Sequence, residues 1–513
     1  MTRDRLTAAV LFVAILACGL LTLQVGGRAG AVDPAAAAPE GLRFEVTVAP
    51  GLLPAPATGR VLVVLSRSAR SEPRQTIGET GLNTPPVLGA DADAFAHGKT
   101  VVLDGNSALF PIESLAKLPA GDYLVQAVLH HNRDLNLPDA PGNLYSDPVR
   151  AALDPAKGGT VRLELTRRVP DEQMPPDTAR VKYQKLESKL LSRFHGRPMF
   201  LRAGLMLPPG FDEEPDRRWP LRLHIGGYGT RFTGVRFLPA SAPFLQLHLD
   251  GAGPYGDPYQ VNSANNGPYG DAVTQELIPY VEKTYRGLGE GYARVTDGHS
   301  TGGWVSLALQ VFYPDFFNGC WSGSPDPVDF RSYELIDVYQ DANAYVNRYG
   351  FERPAKRIPN GDTVYTVRHE CQIENVLGRG DNWVTSGKDW CAWNATFGPR
   401  GADGRPVPLW EPKSGVIDRS VTGHWQNYDL RMVLERNWPA LAPRLRGKIR
   451  ITVGEGDDYF LNNAVHRLDQ FLRRAQPPAD ARIIYGPGAG HGFQPVAAAQ
   501  VLAEMEQATA RRP

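Results

Sequence analysis

Between residues 292 and 312 the chain passes from a strand-like run, Tyr292–Thr296, through Gly298-His299-Ser300-Thr301-Gly302-Gly303 into an apolar stretch ending at Phe312. A strand that turns at once into a helix around a single polar residue leaves no room for bulk beside it. A β-carbon at the flanking positions would meet backbone, so glycines are required there. The turn lifts the Ser300 hydroxyl out of the strand end, and the helix that follows aims its N-terminal dipole and free N–H groups at the same spot. The pattern is short and the chain holds 53 glycines, so its meaning rests on what surrounds it.

The surroundings alternate. Phe200–Leu207, Leu221–Ile225 and Phe244–Leu249 read as strands. Ala272–Arg286 reads as a helix with Leu277, Ile278, Val281 and Tyr285 on one side, and Gly303–Phe312 as a second helix. Phe317–Trp321 is a further strand. After a break the order resumes with strand Lys448–Val453, helix Asn463–Arg474 and strand Arg482–Tyr485. Strands alternating with helices predict a mostly parallel sheet covered on both faces. The break, residues 324–446, reads as an insertion rising over the sheet edge that carries Ser300. It holds six of the nine tryptophans: Trp383, Trp390, Trp393, Trp410, Trp425 and Trp438. Such rings stack on a sugar or aromatic acyl group, or fill the core of a lid. The second reading is favoured, with Trp425 and His424 as the candidates to face a pocket.

A chain of 513 residues exceeds one ordinary core and predicts roughly two to four domains. The first segment, residues 1–31, reads as a signal peptide: a charged head, the apolar run Leu6 to Val25, and Ala29-Gly30-Ala31 for cleavage. The expected location is therefore periplasmic or secreted, with no membrane attachment after cleavage. Residues 42–168 show short runs with β-branched or alternating apolar residues and no helical period between them. These are Arg43–Val48, Arg60–Ser66, Thr100–Leu103, Asp122–Leu129 and Thr160–Leu165, and they predict a β-sandwich. Residues 169–197 form a linker in which Val181 to Phe194 has near-helical apolar spacing. Lys+Arg and Asp+Glu number 55 each, so no net field steers the chain onto nucleic acid. Once Cys18 leaves with the signal, Cys320, Cys371 and Cys391 remain. Spacing allows a Cys371–Cys391 bridge or three free thiols.

A serine hydroxyl needs a base, the base needs an orienting carboxylate, and the developing oxyanion needs two N–H donors. After the last strand comes Gly486-Pro487-Gly488-Ala489-Gly490-His491, which makes His491 the candidate base. After the preceding strand comes Gly454-Glu455-Gly456-Asp457-Asp458, which offers Asp457, with Asp458 as the alternative. The chain order Ser, Asp, His fits a serine on a strand-to-helix turn. The oxyanion donors expected are the Thr301 amide and one from Gly226-Gly227-Tyr228-Gly229, either Tyr228 or Gly227. Asn266, in the loop Asn262–Gly270, is a candidate substrate contact or simply part of an Asn- and Gly-stabilised turn. No spacing of His, Cys and Asp suits a metal.

With these residues placed, the catalytic part resembles the esterase family of α/β-hydrolases that includes enterochelin esterases, feruloyl esterases and mycolyl transferases. The resemblance is carried by Leu207-Pro208-Pro209-Gly210-Phe211, Ile225-Gly226-Gly227-Tyr228-Gly229, Glu276 to Glu282, Gly298 to Gly303, Tyr313-Pro314-Asp315-Phe316-Phe317, Gly454-Glu455-Gly456-Asp457 and Gly490-His491-Gly492. It spans about residues 198–323 and 447–513. It implies an α/β-hydrolase over residues 198–513 with a lid insertion and an N-terminal β-sandwich. It also implies acyl-ester chemistry without metal or organic cofactor, on a small-molecule or glycan-linked ester. The same triad serves acyl transfer, and a non-catalytic binding protein on this scaffold is the reading from another class.

Overall fold

The computed structural model describes residues 41–81 and 83–510; the expected signal peptide lies outside the described residues. Among the described residues no helix is long and apolar enough to cross a membrane.

The N-terminal part is built of two sheets. One pairs Leu42–Val48 antiparallel with Val101–Leu103 and parallel with Gly159–Leu165. The other centres on Ala57–Ser66, flanked by Val87–Phe95 and Gly121–His130. Alternate residues of both, Phe44 and Val46 with Val61, Val63, Leu65 and Val125, close over one core, as the period-two pattern predicts. The strand Ala57–Ser66 is buried on both faces over most of its length. Its outward Leu62 and Val64 pack with Ile373, Val376 and Leu377 of the insertion. Arg60 seals this junction, donating to the Val376 carbonyl at 2.9 Å and pairing with Asp91 at 2.8 Å and Asp381 at 2.6 Å.

The largest sheet has eight strands: β1 (Val181–Glu187), β2 (Phe200–Met206), β3 (Leu221–Ile225), β4 (Leu245–Leu249), β5 (Arg294–His299), β6 (Cys320–Gly323), β7 (Ile449–Gly454) and β8 (Ala481–Gly486). Their order is β1-β2-β4-β3-β5-β6-β7-β8. The first two pairings are antiparallel and all later ones parallel. Parallel strands need crossovers, and the helices supply them on both faces. The result is an α/β-hydrolase carrying a lid and an N-terminal β-rich region.

Two expected elements differ. Val181 to Phe194 is not one helix: residues Val181–Glu187 form β1, and only α1 (Lys189–His195) is helical. Seven residues of β1 pair with β2, and Ser188 caps α1 through the Leu191 N–H at 3.1 Å. The exposed sheet edge offers hydrogen bonds that an isolated amphipathic turn cannot match, so tertiary pairing overrides local spacing. The predicted helix after residue 272 begins earlier, at Tyr269, and passes through π geometry at Ala272–Leu277 before α2 (Ile278–Thr284). The turn helix is α3 (Thr301–Phe312), buried over eleven of its twelve residues.

The insertion carries α4 (Val367–Leu377), α5 (Asp389–Phe397) and α6 (Arg419–Trp425). It then returns to the sheet through α7 (Leu430–Leu445), which packs on α3 and on α8 (Asn462–Arg474). Trp383, Trp390, Trp410 and Trp425 are fully buried in it, with ring centroids of Trp390 and Trp410 4.4 Å apart. Cys320, Cys371 and Cys391 are free and buried. Cys391 sits in α5 and donates to the Val384 carbonyl at 3.2 Å.

Candidate active site

Ser300 stands between β5 and α3 with φ 59° and ψ −125°, the left-handed half of the map that non-glycine residues avoid. The reason for its neighbours is steric. A β-carbon on Gly298 would lie 2.3 Å from the Gly302 carbonyl oxygen, and one on Gly302 would lie 2.1 Å from that of Ile225. One residue before Gly298, buried Asp297 takes a two-pronged pair from Arg222 of β3 at 2.8 and 2.6 Å, and His224 Nδ1 lies 3.0 Å away. Asp297 is held well below the usual carboxylate range: burial opposes this, and the charges of Arg222 and His224 outweigh it. This pair clamps β3 to β5 directly behind the turn.

The loops after β7 and β8 meet at one imidazole. His491 Nδ1 is 2.8 Å from Asp457 Oδ2, and Asp457 is fully buried. The other Asp457 oxygen accepts the N–H groups of Tyr459 at 2.9 Å and Leu461 at 3.3 Å, which fixes its direction. Asp458, the alternative, instead accepts the main-chain N–H of His491 at 3.2 Å. Burial pulls the His491 pKa down, but the Asp457 hydrogen bond and charge outweigh it and raise the pKa. The His491 carbonyl accepts from His299 Nε2 at 2.8 Å and Ser324 Oγ at 2.9 Å, and Ser300 N–H donates to the Gly323 carbonyl at 2.9 Å. The histidine loop is thus tied to the turn beside Ser300. Among the described residues no hydrogen bond joins Ser300 Oγ to the His491 ring; the hydroxyl lies 3.4 Å from Asp326 Oδ1.

The loop after β3 stands beside the turn: a β-carbon added to Gly227 would lie 3.9 Å from the His299 carbonyl oxygen. Among the described residues neither Thr301 N–H nor Tyr228 N–H has an acceptor, which leaves both free for a ligand. The loop is held by Asp257, whose carboxyl accepts Gly229 N–H at 3.1 Å and Tyr259 N–H at 3.0 Å. Burial pushes Asp257 up to about 7. The Tyr228 hydroxyl donates to the Gly387 carbonyl of the lid at 3.1 Å.

Two further candidates stand elsewhere. Asn266 is buried and its amide group faces Thr396 Oγ1 at 3.4 Å, while its own N–H goes to Ser263 Oγ at 2.8 Å. Trp425 is fully buried among Phe330, Tyr333 and Phe397, at ring distances of 5.6, 5.7 and 5.4 Å. No face of that indole is open to a ligand, so it belongs to the lid core. His424 is partly exposed and stacks loosely on Tyr428. Sequence reading missed Asp326, Tyr259 and Trp393, which converge on Ser300 and Thr301. The available signal was Ser324-Pro325-Asp326, an acid just past a strand that neighbours the turn.

The family model described as "Putative esterase" matches residues 252–498. That match covers just under half of the chain, and the sheet order and the strand–Ser300–helix turn are those of an α/β-hydrolase fold. Similar solved structures include a ferulic acid esterase at 16% identity, covering 64% of this chain and 97% of that one with a TM-score of 0.37. An S-formylglutathione hydrolase from Agrobacterium tumefaciens is 12% identical, covers 65% and 97%, and has a TM-score of 0.36. Mycobacterium tuberculosis MPT51 is also 12% identical, covers 64% and 98%, and has a TM-score of 0.37. No curated protein matches the sequence significantly.

Proposed function

We propose that this chain is an exported serine esterase that hydrolyses a carboxylic ester through an acyl-enzyme on Ser300. Ser300 Oγ attacks the ester carbonyl while His491 Nε2 takes its proton. The tetrahedral oxyanion is met by the amides of Thr301 and of Tyr228 or Gly227. His491 then returns the proton to the departing alcohol. Water repeats the sequence on the acyl-enzyme and releases the acid. Asp457 holds the imidazole with Nδ1 protonated, so that Nε2 is the basic nitrogen.

The observation that carries this reading is the 2.8 Å contact between His491 Nδ1 and a fully buried Asp457. A carboxylate with no exposure, aimed by two main-chain N–H groups at one histidine beside a strained serine, has little structural purpose of its own. The Ser300–His491 bond belongs to the complex with substrate, since such bonds tighten when substrate arrives. The substrate class is a small-molecule or glycan-linked ester. The test is covalent labelling by a fluorophosphonate together with hydrolysis of p-nitrophenyl acetate. Both are expected in the wild type and lost in Ser300→Ala. Labelling that persists in Ser300→Ala overturns the assignment.

A further inference from the structure

Asp326, three residues past β6, is 5% exposed and forms no ion pair with Lys or Arg among the described residues. Its two oxygens have unequal surroundings. Oδ2 meets Thr301 Oγ1 at 3.0 Å, Trp393 Nε1 at 3.4 Å and the Tyr259 hydroxyl, which itself accepts from Trp393. Oδ1 meets only Ser300 Oγ, at 3.4 Å. Three donors on one oxygen leave the other as the place for a proton, and that place faces the nucleophile.

The neighbourhood favours the neutral acid. Other ionisable groups act on it from every side: Asp257 from the loop after β4, Glu334 and Tyr333 from the start of the insertion, Asp389 from α5, Tyr259, and His491 from the loop after β8. Apart from His491 they are acids, and like charges crowded in a buried space cannot all ionise. Burial raises the Asp326 pKa against the hydrogen bonds that lower it.

We propose that Asp326 is a further catalytic residue, a carboxylic acid that donates from Oδ1 to Ser300 Oγ. The inference rests on Ser300 being the nucleophile. Donation from Asp326 leaves the serine's own proton free to point at His491. It also stabilises the negative charge that Oγ carries when it attacks and again when it is expelled from the acyl-enzyme. The proton stays on Asp326 throughout, and His491 alone transfers protons. Trp393 makes the lid part of this arrangement, since it is the lid side chain that occupies Oδ2.

The test is the pH dependence of kcat/KM on p-nitrophenyl acetate, with fluorophosphonate labelling and a melting curve run on the same samples. The wild type is expected to show an alkaline limb as Asp326 ionises. Asp326→Asn places an amide N–H where the acid proton was. It is expected to keep activity within about tenfold at neutral pH and to lose the alkaline limb. Asp326→Leu is expected to lose about 10²–10³-fold, as when one oxyanion donor is removed. Tyr259→Phe removes a bond that favours the ionised form and is expected to move the limb to higher pH, a readout that survives if the Asp326 variants do not fold. Asn as damaging as Leu, Leu as active as wild type, or a limb that ignores Tyr259→Phe overturns the proposal. A wild-type chain that takes no label at Ser300 overturns the nucleophile reading, and this one with it.

Discussion

Asp457 and Asp458 are adjacent in the chain yet serve opposite ends of the same histidine: one meets the His491 ring at 2.8 Å, the other its main-chain N–H at 3.2 Å. Only the first can select a tautomer. Asp457→Asn is expected to lower kcat by about 10⁴-fold while leaving KM near its wild-type value, because the ring then presents the wrong nitrogen. Asp458→Asn keeps an oxygen acceptor for the main chain and is expected to cost less than tenfold. Steady-state kinetics on both variants checks this, and equal losses would remove the distinction.

The same contact sets the acid side of the pH profile. An imidazole accepts a proton only when neutral, and the pKa of His491, the proposed base, is raised because the Asp457 bond and charge overcome the effect of burial. The rate is therefore expected to climb as pH rises through a value above the ordinary histidine pKa of about 6.5, and to be lost below it. In Asp457→Asn the charge is gone and burial remains, so the inflection in residual kcat/KM is expected to move to lower pH. A limb that stays in place assigns it to another group.

The turn around Ser300 was legible because its glycines answer a local steric demand. The last two strands and the loops beyond them were legible because each strand is a short apolar run bounded by glycine. Asp326 was not, since its surroundings come from Tyr259, Thr301 and Trp393, residues 67, 25 and 67 positions away in sequence that only the tertiary fold brings together. The linker failed for a related reason. Val181, Leu186 and Leu190 satisfy helical spacing roughly, but the side of β2 turned away from β4 offers hydrogen bonds, and pairing there decides the conformation of Val181–Glu187. Trp425 could be counted but not oriented, because an aromatic-rich insertion with no clear period gives no face.

Strain at Ser300 predicts a stability difference separable from chemistry. Ser300 holds φ at 59°, where a β-carbon costs about 1–3 kcal/mol and glycine almost nothing. Ser300→Ala keeps that cost; Ser300→Gly removes it but adds about 0.4–1 kcal/mol of unfolded-chain entropy. Both variants lack the hydroxyl and are expected to be inactive. The glycine variant is expected to be the more stable of the two, by about 1 kcal/mol, in urea or thermal unfolding. Equal stability would mean that the turn relaxes once the hydroxyl is gone.

Trp425 separates a lid held by its own core from one held by its ligand. The indole is fully buried against Phe330, Tyr333 and Phe397, and these rings connect it to Trp390 and Trp393. Truncation to alanine removes that packing and leaves a cavity, so Trp425→Ala is expected to cost about 3–5 kcal/mol. Trp425→Phe keeps most of the volume and is expected to cost less. Because Trp393 in the same cluster reaches Asp326, loosening the cluster is expected to lower kcat more than it raises KM. A tryptophan whose loss raises KM tenfold with unchanged stability would instead be touching substrate. Equilibrium unfolding and initial-rate measurements on the two variants distinguish these outcomes.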